Sequence, residues 1–198
     1  DSGRAAAVLL ADPDWKDHPR LCVVPEDKLV VWAFVNRHNT PVLSPDQIAA
    51  AAPDAHEFYR QRRWEKGEIA DDALKQWEHL NPGLQNSNRE QVAFIANVLT
   101  KAGFSIVTTK SPQPIRFRKD EIDEMAEREH ARWMMERFSE GWVYGKTKDV
   151  ANKISPNLVG WDEVLDRVKE YDREAVSLFP ALLAKLGYEI RRPPETSE

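Results

Sequence analysis

Three side chains recur at one spacing on two stretches of this sequence. His56, Tyr59 and Arg63 stand at i, i+3 and i+7, which puts them on one face of a helix. His130, Trp133 and Arg137 repeat that face. An aromatic ring can stack, a guanidinium can hold an anionic group and an imidazole can hydrogen-bond, so the set suits a nucleotide or another phosphorylated planar ligand. The same spacing also suits a plain amphipathic helix, with the aromatic in the core and the His and Arg on surface partners. Spacing alone leaves both readings open. Gly141-Trp142-Val143-Tyr144-Gly145 could cradle a phosphate on its backbone N–H groups, with Tyr144 as a ligand contact, or form a tight turn with Trp142 packed inward. Lys153 reads as a solvated loop lysine. Arg116-Phe117-Arg118-Lys119 reads as a solvated helix start or a cleft lining, and Trp77 and Trp161 read as core.

Other chemistries lack their residues. There is no phosphate-binding G-x-x-x-x-G-K-[ST], dinucleotide-binding G-x-G-x-x-G, nucleophile-elbow G-x-S-x-G or metalloprotease H-E-x-x-H. The five His residues show no metal spacing, and the single Cys22 allows neither an internal disulfide nor a cysteine zinc site. The acid pairs Asp71-Asp72 and Asp120-Glu121 fall in a loop and at a helix start, where acids favour the helix dipole. The expectation is therefore a binding module rather than an enzyme, with no catalytic residue, metal or cofactor. A net charge of −5 argues against duplex nucleic acid as a partner, which needs a basic face. No apolar run is long enough to span a membrane, and lone-cysteine usage makes a reducing, cytoplasmic setting the default expectation.

The elements that must position these residues form a repeat. A shift of 74 aligns 46–67 with 120–141 without a gap, matching His56 with His130, Arg63 with Arg137 and Gly67 with Gly141. A shift of 84 then aligns 77–106 with 161–190, matching Trp77 with Trp161, Arg89 with Arg173, Gly103 with Gly187 and Ile106 with Ile190. The second copy differs by a loop about ten residues longer. Generic amphipathic helices explain the apolar matches but not the shared His, Trp, Arg and Gly.

Within the first copy, the capping signal Ser44-Pro45-Asp46-Gln47 opens a helix that runs to about Lys66, with Pro53 expected to kink or split it. Asn81-Pro82-Gly83 reads as part of a turn-rich stretch, so the second helix is expected from about Arg89 to Ala102. In the second copy, helices are expected over about Lys119 to Glu140 and Asp172 to Leu186. The expected fold is mainly α: two tandem, pseudo-two-fold-related helical repeats with short β pieces, over 44–110 and 111–193, and a polar tail over 194–198. Residues 1–43, with apolar runs at Ala5–Leu10, Leu21–Val24 and Leu29–Val35, read as a small α/β remnant or the tail of an upstream domain. The opening Asp1-Ser2-Gly3-Arg4 reads as a cut within a longer protein.

Glu129-His130-Ala131-Arg132-Trp133, then Glu140-Gly141-Trp142-Val143-Tyr144-Gly145, then Lys153, Pro156, Leu158 and Trp161 resemble the ryanodine-receptor repeat domain, in its bacterial type. The second copy resembles it over its whole length. The first departs, with Tyr59 for the Trp, no G-W-x-Y-G after Gly67 and a shorter loop. The second departs at Ser155, where a His usually precedes the Pro. The resemblance implies a cleft between tandem copies that can hold an adenine-type ligand, with the aromatics facing it. It implies a neighbouring dinucleotide-binding or other effector domain outside these residues. The function expected is a sensor of a small nucleotide-like signal, adenine-type or cyclic, that regulates the attached effector. The alternative is a protein-protein assembly module using the same cleft. The ligand residues expected are His56, Tyr59, Arg63, His130, Trp133, Arg137 and Tyr144.

Overall fold

A computed structural model describes residues 43–68 and 72–193. The segment read as an α/β remnant, apart from Leu43, and the tail 194–198 lie outside the described residues. Among these the fold is mainly helical. It runs α1 Pro45–Glu65, α2 Pro82–Lys101, β1 Ser105–Thr108, α3 Lys119–Ser139, β2 Val143–Tyr144, β3 Ile154–Ser155, α4 Asp166–Lys185 and β4 Tyr188–Arg191, with short 3-10 turns at Asp72–Leu74 and Trp77–His79.

The bounds of α1 and α3 are related by the shift of 74 at both ends, and those of α2 and α4 by the shift of 84. The capping code explains this. Ser44 accepts from the Gln47 amide while the Gln47 side chain accepts from the Ser44 amide, a complete capping box. At the same place on α3, the Arg118 amide donates to Glu121 at 2.6 Å. Gly67, Gly103, Gly141 and Gly187 all take positive φ between 77° and 84° just past a helix end, the left-handed conformation that glycine adopts without a Cβ penalty. The amides of Glu68, Phe104 and Trp142 then reach back five residues, to the carbonyls of Arg63, Leu99 and Arg137, which closes those helix ends.

Two boundaries differ from the sequence expectation. α2 starts at Pro82 because Asn81 caps it, its side chain accepting from the Leu84 amide. Asn-Pro-Gly is a helix start here, with Pro at the first position where its missing N–H costs nothing. α4 likewise starts at Asp166, six residues ahead of expectation. Pro53 lies inside an uninterrupted α1, and Pro180 inside α4.

The described residues divide into two compact units, one of 43–68, 72–125 and 173–193, the other of 126–172. In the first, α1 packs on α2, burying Ala51, Ala52 and Ala55 together with Val92, Ile95, Val98 and Leu99. Each fully buried Val, Ile or Leu is worth about 1.5–3 kcal/mol. β1 and β4 pair antiparallel in the same unit, with Ile106 opposite Ile190. These two residues are equivalents under the shift of 84, so the strand register is centred on a matched pair. In the second unit, Ala131, Met134 and Leu158 form a core against which Trp133, Met135, Phe138 and Trp142 pack. β2 and β3 pair parallel there.

Candidate functional site

Each histidine of the repeated face turns inward. His56, only 2% exposed, donates from Nε2 to the Lys75 carbonyl at 2.8 Å and lies against Trp77, with ring centroids 5.9 Å apart and planes tilted by 55°. His130, equally buried, donates from Nε2 to the Val159 carbonyl at 3.0 Å and lies against Trp161 at 5.7 Å and 53°. Lys75 and Val159 are equivalents under the shift of 84, as are Trp77 and Trp161. One histidine contact therefore tethers the segment after the first helix in both copies. His130 has two further contacts: its Nδ1 is 3.2 Å from Asp172 Oδ2, and its ring stacks on Trp133 at 5.7 Å.

The other two members of the face pair with each other. The Arg63 guanidinium lies over the Tyr59 ring, 5.0 Å from its centroid, and Arg137 over Trp133 at 5.9 Å. These are cation–π distances, set by the four-residue spacing that stacks one helical turn on the next. Arg137 also lies over Trp142 at 5.6 Å, so two indoles hold one guanidinium. Tyr59, Trp133 and Arg137 are partly buried, whereas Arg63 is buried. Among the seven expected site residues, the structure brings together His130, Trp133 and Arg137 in one unit. In the other it pairs Tyr59 with Arg63 and sets His56 on a backbone carbonyl.

Residues 116–192 match the family model described as RyR domain. This segment is an RyR domain.

The G-W-x-Y-G loop of the RyR domain is a turn held by its own backbone. The amides of Gly141, Trp142, Val143 and Gly145 donate to the carbonyls of Phe138, Arg137, Lys153 and Ser155. Those four amides are committed to backbone carbonyls, as the tight-turn reading expects. Trp142 packs inward as the tight-turn reading expects, and Tyr144 is exposed. Gly145 is required by close approach, because a Cβ there would collide with Ile154. Lys153 is not merely solvated. Its ammonium donates to the Glu140 carbonyl at 2.7 Å, where a cation suits the helix C-terminus. The Arg116–Lys119 patch is also structural: Phe117 is buried edge-on against Phe104, and the Arg116 carbonyl accepts from Arg192.

The face reading missed the charged residues buried along the RyR domain's first helix. Arg132 donates from Nε and Nη2 to Glu129 at 2.9–3.0 Å and from Nη1 to Glu136 at 2.7 Å, and all three residues are buried. Burial disfavours the charge on the Arg132 guanidinium, but the carboxylates of Glu129 and then Glu136 together outweigh it and hold the group firmly in its charged form. The spacing Glu129, Arg132, Glu136 is i, i+3, i+7, and that was the signal available in the sequence. The first copy has Ala55, Phe58 and Arg62 at the matching places, so this triad belongs to the RyR domain alone. Among the described residues, no group of three acids, histidines or cysteines could hold a metal ion. No described helix is long and apolar enough to cross a membrane.

Proposed function

We propose that this chain is a non-catalytic ligand-sensing module that binds a small nucleotide-like molecule, adenine-type or cyclic, and regulates an attached effector outside these residues. The observation that carries the reading is the repeated arginine-over-aromatic pair, Arg63 on Tyr59 and Arg137 on Trp133. An aromatic ring with a planar cation fixed over it supplies a π surface and a positive charge together, the two features that a phosphorylated planar ligand calls for. With the histidines turned inward, each unit offers its own recognition pair, Arg63 with Tyr59 in one and Arg137 with Trp133 in the other, the exposed Tyr144 being an accessory contact in the second.

A thermal-shift screen of mono-, di- and cyclic nucleotides and adenosine diphosphate ribose tests this. A site ligand at one hundred times its Kd stabilises by about 2.7 kcal/mol. Trp133→Ala is expected to weaken binding by about ten- to a hundredfold per folded molecule, the worth of one base–aromatic stack. A screen in which no nucleotide shifts the melting temperature rejects the reading. The assembly reading rests on exposed Trp64, Val150 and Leu165, apolar side chains that a protein partner would cover. Nucleotide-independent self-association that Trp64→Glu or Leu165→Glu abolishes would favour it instead.

A further inference from the structure

We infer that Glu68 and Glu140 are resident anions on the two repeated arginines, and that an incoming phosphate displaces them. This rests on the ligand-sensing reading and names how that site is regulated. Arg63 Nη1 donates to both carboxylate oxygens of Glu68, each at 3.0 Å. The Arg63 side chain is 2% exposed and that of Glu68 is 49% exposed. Arg137 Nη1 donates to Glu140 Oε2 at 2.7 Å, with side chains 11% and 31% exposed, and its Nη2 lies 3.6 Å from Glu136.

Both copies thus set a nearly buried guanidinium beneath a glutamate that faces water. The two glutamates are not aligned residues: Glu68 follows the capping glycine and Glu140 precedes it. The same arrangement is therefore reached from two different positions, although the sequence repeat does not demand it.

The physical logic is exchange. A guanidinium this deep needs an anion, because an uncompensated buried charge is strongly unfavourable. Its N–H donors bind a carboxylate or a phosphate alike; here Nη1 holds both oxygens of Glu68 and one of Glu140. Solvent reaches each carboxylate more than its arginine, so a phosphate arriving from solution meets the glutamate and replaces it. Arg132 is the contrast. Its two carboxylates are buried with it and have no such exchange route.

The chemical class implied is an oxyanion able to take a carboxylate's place on one guanidinium, such as a phosphate or diphosphate group. The glutamates raise the concentration at which it binds, since a half-exposed pair weakens a competitor by up to about fivefold.

The test uses the full chain with inorganic pyrophosphate as probe, by thermal shift and titration calorimetry. Glu68→Gln and Glu140→Gln are each expected to bind pyrophosphate about two- to fivefold more tightly than the wild type, with the gain shrinking at high salt. Equal or weaker binding by both folded variants, or no binding by any form, overturns the inference. If a glutamine variant does not fold, Glu68→Asp and Glu140→Asp, which pull the carboxylate back by one methylene, are expected to show a smaller gain in the same direction. Absence of that gain counts equally against it. A negative nucleotide screen with a positive pyrophosphate result rejects the nucleotide reading and leaves the anion exchange standing.

Discussion

At the scale of single residues, the histidines and the arginines of the repeated face do different work. A buried imidazole N–H on a backbone carbonyl costs about 1–3 kcal/mol when its partner is orphaned. His56→Ala and His130→Ala are therefore expected to destabilise by about that much in urea titrations, with ligand affinity per folded molecule unchanged. His130→Ala should cost more, since it also releases Asp172 and the Trp133 stack. Loss of affinity without loss of stability would return the histidines to the ligand site. Arg132 makes a sharper case. Arg132→Met leaves Glu129 and Glu136 buried without their cation and is expected to cost about 3–5 kcal/mol, whereas apolar replacement of all three should be near neutral. Chemical denaturation of both variants checks the pair. A single-variant cost under 1 kcal/mol would mean that water reaches the triad.

At the scale of elements, local caps fix the helix ends. Ser44, Asn81 and the four positive-φ glycines set where helices start and stop. Gly67→Ala and Gly141→Ala have open space for a Cβ but hold φ of 77° and 84°. Each is expected to cost about 1–2 kcal/mol from the left-handed backbone alone, read as a lowered melting temperature with native circular dichroism. A neutral result would show that the helix end relaxes. At Lys153, the one described non-glycine residue at positive φ, two effects oppose each other: Lys153→Gly relieves strain and loses the cap on Glu140. Helix existence was legible from sequence because apolar period and caps are local. The early start of α2 was missed because Asn81-Pro82-Gly83 is also turn chemistry, and only packing separates the two uses.

At the scale of the chain, distant segments close on each other within the larger unit. Lys66 pairs with Glu174 and Lys185 with Asp54, linking α1 to α4 in antiparallel sense. β1 meets β4, and Arg192 donates to both oxygens of Glu121 at 2.7 and 2.9 Å. The hydrogen bond from Arg192, ahead of opposing desolvation and aided by Arg118, holds the Glu121 carboxyl below its ordinary value. A carboxyl with a lowered folded-state pKa contributes its stability above the unfolded value, near 4.5, and loses it as pH falls through the folded value. Acid unfolding is therefore expected to steepen below about pH 4.5, and Glu121→Gln to flatten that limb while lowering stability at neutral pH. An unchanged acid limb would show that the pair contributes nothing. What the sequence by itself determined here is local and periodic: the four helices of the described residues, the Ser44 cap, the matched glycines, and the His, aromatic and Arg positions at the repeated spacing. What only the tertiary structure decided is where those side chains go. The burial of His56 and His130 on the Lys75 and Val159 carbonyls, the committed amides of the Gly141–Gly145 turn and the glutamates over Arg63 and Arg137 all depend on segments brought together by folding. A helical face specifies which residues are neighbours along it, but the partner that covers it is chosen by the whole chain's packing.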